Sequence, residues 1–378
     1  MKRLIHLLVL FTFVLSISGC DRKPAIEPSG KTIKVGIIAP LSGYNSNQGK
    51  EGMKGLETGM QLQPYLENGD GIELVVADDS NDSTLSVKLL QKLAEIDKVS
   101  AIVTFSSSGP VLAMAAAADI YKVPILAVLA THPDTTTHND YISQVCFDGN
   151  FQGMVTALFV RDELLIDKVA VFTDPESNYS SNLADQFKRK FKSIDGVIVD
   201  TIYLTGENET LPDTVRSLRD KNTELLYLPL RAAAAIRIIK AVKSLGWKPK
   251  LMGSDGLLAE VTTNYREELG LLDGMLVTDF FHHDMPLTRL GRKVTAIYKG
   301  QGTSFTVLGV EGYVILRHAM NRCSNPADRE CINNKIRSTT NFTGLADKIT
   351  IGPTGKAKRS LSINSIKNGK TKFIVKVY

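Results

Sequence analysis

Short apolar runs rich in β-branched residues alternate along the chain with longer stretches of helical period. The first series places predicted strands at Ile33–Ala39, Ile72–Ala77, Ala101–Phe105 and Ile125–Leu129. Between them, helices are predicted from about Gly49 to Tyr65, over a segment with apolar positions Leu85, Leu89, Leu90 and Leu93, and over the Ala-rich Pro110–Tyr121. The polar run Asp78-Asp79-Ser80-Asn81-Asp82-Ser83 supplies capping residues for the second helix. The rhythm then restarts. Strands are predicted at Val169–Thr173, Val197–Tyr203, Leu225–Leu228, from Leu251-Met252, and at Met275–Thr278. Helices are predicted at Ser180–Phe191, Leu211–Asp220 and Ala232–Leu245. Strands alternating with helices imply mostly parallel, doubly wound sheets covered on both faces. Two series of similar length predict two α/β lobes, with Asp148-Gly149-Asn150 as a hinge between them. In open α/β sheets ligands bind at the carboxyl ends of the strands, so both sets of strand-to-helix loops should face one cleft.

The N-terminus follows a different pattern. Met1-Lys2-Arg3 precedes an apolar run that ends at Ile17-Ser18-Gly19-Cys20. A positive start, an apolar middle and small residues before a cleavage point make a signal peptide, expected over 1–19. Leu4–Ile17 is shorter than the roughly 20 residues a membrane span needs. The small residues before a cysteine resemble the bacterial lipoprotein signal. That resemblance implies cleavage after Gly19 and lipid on Cys20, followed by a tether at 20–31. Asp21 resembles the signal that keeps some lipoproteins at the inner membrane.

Removing the leader leaves 359 residues, enough for two domains. The net charge of +5 falls to +3 without Lys2 and Arg3, and the remaining basic residues are scattered, which argues against nucleic acid. Of the four cysteines, Cys323 and Cys331 share a short polar loop. Outside the cytoplasm such a pair is either a disulfide or two free thiols. Cys146 lies in an apolar stretch and reads as a buried, inert thiol.

Several segments then carry a family likeness. They are Ile33-Lys34-Val35-Gly36-Ile37-Ile38-Ala39-Pro40-Leu41-Ser42-Gly43, Glu73–Asp79, Ser106-Ser107-Ser108-Gly109, Ala130-Thr131-His132-Pro133, Asn178-Tyr179 and Met252-Gly253-Ser254-Asp255-Gly256. Taken in order they resemble type I periplasmic binding proteins, and most closely the branched-chain amino acid (Leu/Ile/Val-binding-protein-like) receptors of ABC importers. The resemblance implies two lobes joined by three crossovers, near Phe147–Phe151, Thr278–Phe281 and Ile349–Pro353. It places 32–148 plus 280–349 in the first lobe and 149–279 plus 350–378 in the second. It implies an ABC permease partner in the membrane; a monomer outside the cytoplasm, with no cofactor and no metal, is expected. A short loop like Cys323–Cys331 is also a feature of several members.

The likeness also assigns site residues. Ser106-Ser107-Ser108-Gly109-Pro110 ends a strand and opens a helix, with Gly109 or Ser108 expected as the cap. Helix N-terminal amides hold a carboxylate well. Ser108 is the first choice for that role and Ser107 the second, against the plainer reading that the serines only cap the helix. Ala130 is expected to offer its carbonyl to a ligand ammonium, and Thr131 to donate to the carboxylate or else to bond its own turn. Tyr179 is expected over the ligand as a lid, and Asp255 is expected to pair with the ammonium or to sit as a turn residue. Gln48 stands where an aromatic often lines the side-chain pocket. Arg231 stands where receptors for aliphatic amino acids have an uncharged residue. Three readings stand for Arg231: pairing with a second ligand carboxylate, pairing with Asp255, or pointing to solvent.

An enzyme is not expected. No GxSxG elbow, P-loop, GxGxxG or HExxH spacing is present, and no nucleophile–base–orienter set is visible around the serines. A receptor that closes on an amino acid or related small carboxylate for an importer is the primary expectation. A ligand sensor of the same fold, signalling to a membrane partner, is the alternative.

Overall fold

A computed structural model describes residues 26–204 and 210–378, so Cys20 and the leader lie outside the described residues. The first half runs β1 (Thr32–Ala39), α1 (Ser46–Leu62), β2 (Gly71–Asp78), α2 (Ser83–Glu95), β3 (Ala101–Thr104), α3 (Ser108–Tyr121), β4 (Ile125–Ala127) and β5 (Ile142–Gln144). These five strands form a parallel sheet in the order β2-β1-β3-β4-β5. The chain then runs α4 (Gly149–Leu158), β6 (Lys168–Thr173), α5 (Asn178–Lys192), β7 (Val197–Tyr203), α6 (Leu211–Asp220), β8 (Leu225–Leu228), α7 (Ala232–Ser244), β9 (Lys250–Gly253), α8 (Leu257–Asn264) and β10 (Leu276–Asp279). It continues through α9 (Arg289–Ile297), α10 (Ser304–Asn321), α11 (Arg329–Arg337), β11 (Phe342–Thr343), β12 (Lys348–Ile351), β13 (Ala357–Lys358), β14 (Leu361–Lys367) and β15 (Lys370–Val377). The second sheet has the order β15-β14-β10-β9-β8-β6-β7, parallel except for the terminal hairpin.

Each sheet buries both faces. On the first, Val35 and Ile37 join a core under α1 and α10, while Ile38 and Ile102 face α2 and α3. On the second, Ala170 and Phe172 meet α6 and α7, while Val169 and Val171 meet α5. This two-sided burial is why the strands read as continuous apolar runs and not as alternating ones. The strand order reverses between β1 and β3 in one sheet and between β6 and β8 in the other. At such switch points the loops diverge and leave a crevice. The loops after β1, β3, β6 and β8 therefore open onto one space.

The boundary between the lobes differs from the sequence expectation at one place. Residues 350–358, expected in the second lobe, stay with the first. There β13 pairs with β12, Gln144 N–H donates to Gly355 O at 2.8 Å, and Arg337 Nη1 donates to Pro353 O at 2.7 Å. The chain joins the second sheet only at Leu361.

Close helix packing holds the first lobe together, and buried charges tie the crossovers to it. Glycines let α1 and α10 touch backbone to backbone. A Cβ on Gly55 would stand 1.9 Å from Thr306 O, and one on Gly309 would stand 2.1 Å from Gly52 O. The crossovers themselves are joined by a buried ion cluster. Arg359 donates to Glu311 Oε2 at 2.7 Å, to Asp347 Oδ1 at 3.2 Å and to Val145 O at 3.3 Å. All three side chains are essentially inaccessible. Ser360 closes the cluster on Asp347 through its backbone N–H and its hydroxyl, each at 2.8 Å. Beside it, the Phe147 and Phe280 rings stack with centroids 4.1 Å apart, joining the first and second crossovers. Cys323 and Cys331 are disulfide-bonded, and Cys146 is free and buried.

Arg359→Met leaves Glu311 and Asp347 without their cation in the interior. It is expected to destabilise the protein by about 3–5 kcal/mol, because a buried charge left unpaired keeps its full desolvation cost. The check is a lowered denaturant midpoint in equilibrium unfolding.

Candidate functional site

The loops after β1, β3, β6 and β8, with the segment after β9, enclose a cavity of about 300 Å³. That is at the small end of ligand pockets, which run from roughly 300 to 1,000 Å³. The lobes meet around it. A Cβ on Gly109 of the first lobe would lie 3.2 Å from Asn178 Oδ1 of the second. Asn47 Nδ2 donates across the interface to Thr263 Oγ1 at 2.9 Å.

On the first-lobe side, α3 is capped by Ser107, not by Ser108 or Gly109 as expected. The Ser107 side chain makes no capping bond, so it leaves the first amides of α3 without a side-chain acceptor. Ser107 N–H donates to Asn81 Oδ1 at 2.9 Å, and Ser108 Oγ accepts from His132 N–H at 3.2 Å. Both serines line the cavity, and Ser108 is buried. Ser106 does not line it. Its hydroxyl bonds the buried Asp79, which also takes the Ser86 hydroxyl at 2.7 Å, so that serine holds the strand end in place. Gln48, on the first turn of α1, is buried and donates to Phe105 O at 2.7 Å.

The expectation for Ala130 is corrected. Its carbonyl already accepts from Gln144 Nε2 at 2.9 Å and from the Cys146 thiol at 3.1 Å, so both lone pairs are occupied. β4 ends at Ala127, and it is Leu129 that reaches the cavity wall. Thr131 is buried just outside the wall, where its carbonyl accepts from Gly149 N–H at 2.7 Å.

The second-lobe side holds two linked pairs. The Tyr179 hydroxyl lies 2.8 Å from Asp255 Oδ1 and 2.7 Å from Ser254 Oγ. Burial and the Asp255 charge push the phenol well up, so Tyr179 is a proton donor to the carboxylate. Burial also pushes the Asp255 carboxyl up to about 6, against the hydrogen bond from Tyr179 and the more distant Arg231. Behind it, burial and the Asp255 charge push Asp279 up to about 7. Asp255 and Tyr179 both line the cavity.

Arg231 resolves differently from all three readings made of it. Its carboxylate partner is Glu260, with Nη1 to Oε1 at 2.7 Å, while Glu260 Oε2 accepts the Ala232 N–H at the start of α7 at 2.8 Å. From there the guanidinium reaches the other lobe, bonding Asn45 Oδ1 at 3.0 Å and Gln48 Oε1. Arg231 is thus compensated within its own lobe and at the same time spans the cleft.

Sequence reasoning missed Phe305, Glu260, and the β6–α5 loop residues Asp174, Glu176 and Ser177, although Asp174, Glu176, Ser177 and Phe305 line the cavity. The loop had a usable signal, since it follows a strand at a switch point. Phe305 and Glu260 sit on helices and carry no local mark.

The comparisons with known proteins agree with this architecture. A family model described as "Periplasmic binding protein" matches residues 32–371. An "Amino acid binding protein" of Pseudomonas aeruginosa is 23% identical over 327 residues, covering 84% of this chain and 82% of that protein. Among solved structures, a leucine-binding protein LivK from Thermotoga maritima has a TM-score of 0.83 at 27% identity, covering 91% of this chain and 98% of that one. A solute-binding protein of an ABC transporter from Rhodopseudomonas palustris, solved with 3,4-dihydroxybenzoic acid, has a TM-score of 0.81 at 20% identity, covering 92% of this chain and 97% of that one. No helix among the described residues is long and apolar enough to cross a membrane. With its two doubly wound lobes, its interlobe cleft and a match over residues 32–371, the chain belongs to the periplasmic binding protein family.

Proposed function

We propose that this protein is an extracytoplasmic receptor that closes on an α-amino acid with a polar side chain and presents it to an ABC permease. The carrying observation is the polarity of the cavity. Unbonded helix amides and Ser108 stand on one wall, and the buried Asp255 stands on the other. A carboxylate suits the first and an ammonium the second. The amino-acid-binding relatives support the reading. The benzoate-type ligands of some structural relatives bring no cation to meet Asp255, so they fit this cavity less well. The polar character of the side chain follows from the Gln48–Arg231 contact, which makes that part of the wall hydrophilic. Arg231 is already neutralised by Glu260, so the cavity carries no spare cation for a second ligand carboxylate. The segment Ile17–Cys20 supports a lipid anchor that keeps the receptor beside its membrane partner.

A thermal-shift screen of purified protein against amino acids, diacids and aromatic acids tests this. A ligand at 100 times its Kd stabilises by about 2.7 kcal/mol. At least one amino acid is expected to raise the Tm. A set of shifts confined to acids that lack an amine would refute the amino-acid reading.

Asp255→Asn removes the carboxylate opposite the ammonium. It is expected to weaken that ligand by about 2 kcal/mol or more, roughly thirtyfold, as for other buried hydrogen-bonded charge pairs that lose a partner. Calorimetry of both proteins measures the difference.

The same residue sets a pH dependence. Ammonium binding needs the Asp255 carboxylate, and the free site takes up a proton below about 6. Affinity is expected to be level above that pH and to fall by about tenfold per pH unit below it, because one proton is then displaced on binding. Titrations between pH 5 and pH 8 should show that slope in the parent and a flat profile in Asp255→Asn.

A further inference from the structure

Outside the ligand cleft, a second and larger groove of about 1480 Å³ lies between α1, α8 and the loop after the second crossover. It shares no lining residue with the cleft. His282 and His283 line it, and Asp284 follows them directly. We propose that His282, His283 and Asp284 form a binding site for a divalent transition-metal ion of the zinc class, with its remaining coordination position open to the groove.

The geometry supports three ligands to one ion. His282 Nδ1 lies 3.7 Å from Asp284 Oδ2, and His283 Nε2 lies 3.5 Å from Asp284 Oδ1. One donor atom from each of the three residues fits within a mutual spacing of 4.8 Å. Two ligands each about 2.1 Å from a tetrahedral zinc ion are about 3.4 Å apart, so the carboxylate already stands at chelating distance from both rings. The two imidazoles are stacked, with centroids 4.3 Å apart. Among the described residues this is the only group of three or more such side chains positioned to hold a metal.

A supporting contact sits behind the first ligand. His282 Nε2 lies 3.0 Å from the Thr371 hydroxyl at the start of β15. When that nitrogen donates to Thr371, the Nδ1 lone pair faces Asp284, which is the orientation a metal-ligating imidazole takes from its outer partner. Nδ1 accepts a long bond of 3.2 Å from Asp284 N–H, and the ion would replace it. His282 is buried, while His283 and Asp284 are reachable from solvent, so an ion has an entry path. Two imidazoles and one carboxylate favour zinc, nickel or copper over calcium or magnesium, which prefer all-oxygen sets. The order His-His-Asp matches none of the spacings that mark a zinc site in a sequence, and no metal was expected there. A bound ion would fasten the loop after the second crossover to the terminal hairpin through Thr371.

The test is titration of untagged protein with zinc chloride against a chromogenic chelator, with cobalt(II) absorption as a second readout. One equivalent is expected to bind, with a rise in Tm, and excess magnesium should not compete. His283→Ala and Asp284→Asn alter solvent-accessible side chains and are expected to fold normally. Each should weaken zinc at least about tenfold, and Thr371→Val should weaken it by about 10–100-fold, the usual effect of losing an outer partner. His138→Ala, in a distant loop, should leave binding unchanged. Equal zinc affinity in the parent and in the His283→Ala/Asp284→Asn double variant would overturn the proposal, as would the absence of stoichiometric binding.

Discussion

The interaction on which the two-lobed arrangement depends is the buried Arg359–Glu311–Asp347 cluster. The three charges come from the third crossover, from α10 and from the loop before β12. Each would be costly to bury alone, and the cluster persists because every charge finds its counterpart. Because Arg359 also takes the carbonyl of Val145, the entry to the first crossover is tied to the same point. The stacked Phe147 and Phe280 rings add the second crossover. A hinge works when motion is confined to a few backbone positions flanking a rigid contact, and this arrangement supplies the contact.

Above that cluster, the cleft is an electrostatic arrangement more than a shaped hole. Asp255 is held in the interior by a hydrogen bond from Tyr179. Arg231 is held by Glu260. Leaving either charge without its partner would strand a charge in a desolvated space. Arg231 and Glu260 offset each other, while the neutral Tyr179 leaves the Asp255 charge without a cation. In the proposed amino-acid complex, the α3 amides would meet the ligand carboxylate and Asp255 the ammonium. The bonds from Arg231 to Asn45 and Gln48 also make the guanidinium part of the interface between the lobes.

The elements of the two sheets were legible because strand and helix periods are local. The apolar runs of β1, β3, β6 and β8 and the amphipathic spacing of α2 and α5 sit within a few residues of where the spacing predicts them. α10 offered no such pattern. Nearly all of its residues are buried on every side, so no polar stripe marks it. The cleft was partly legible for the same reason as the strands. Ser107, Ser108, Tyr179 and Asp255 lie in the loops and first helical turns that follow strand carboxyl ends, and the switch-point rule brings such segments together. Ala130 failed because its carbonyl was claimed by Gln144 and Cys146, residues of the following loop and strand that no spacing connects to it.

The chain's own pattern of apolar runs, caps and turn residues therefore determined the fold class, the order of elements and the loops that face the cleft. Those follow from interactions spanning a few residues. The tertiary structure decided who pairs with whom. It joined Arg231 to Glu260, 29 positions onward in the chain, and to Asn45 and Gln48 in the opposite lobe. It set Thr371 behind His282 and drew residues 350–358 into the first lobe. A buried charge or carbonyl takes whatever partner packing brings within about 3 Å, and that distance is fixed by the whole fold.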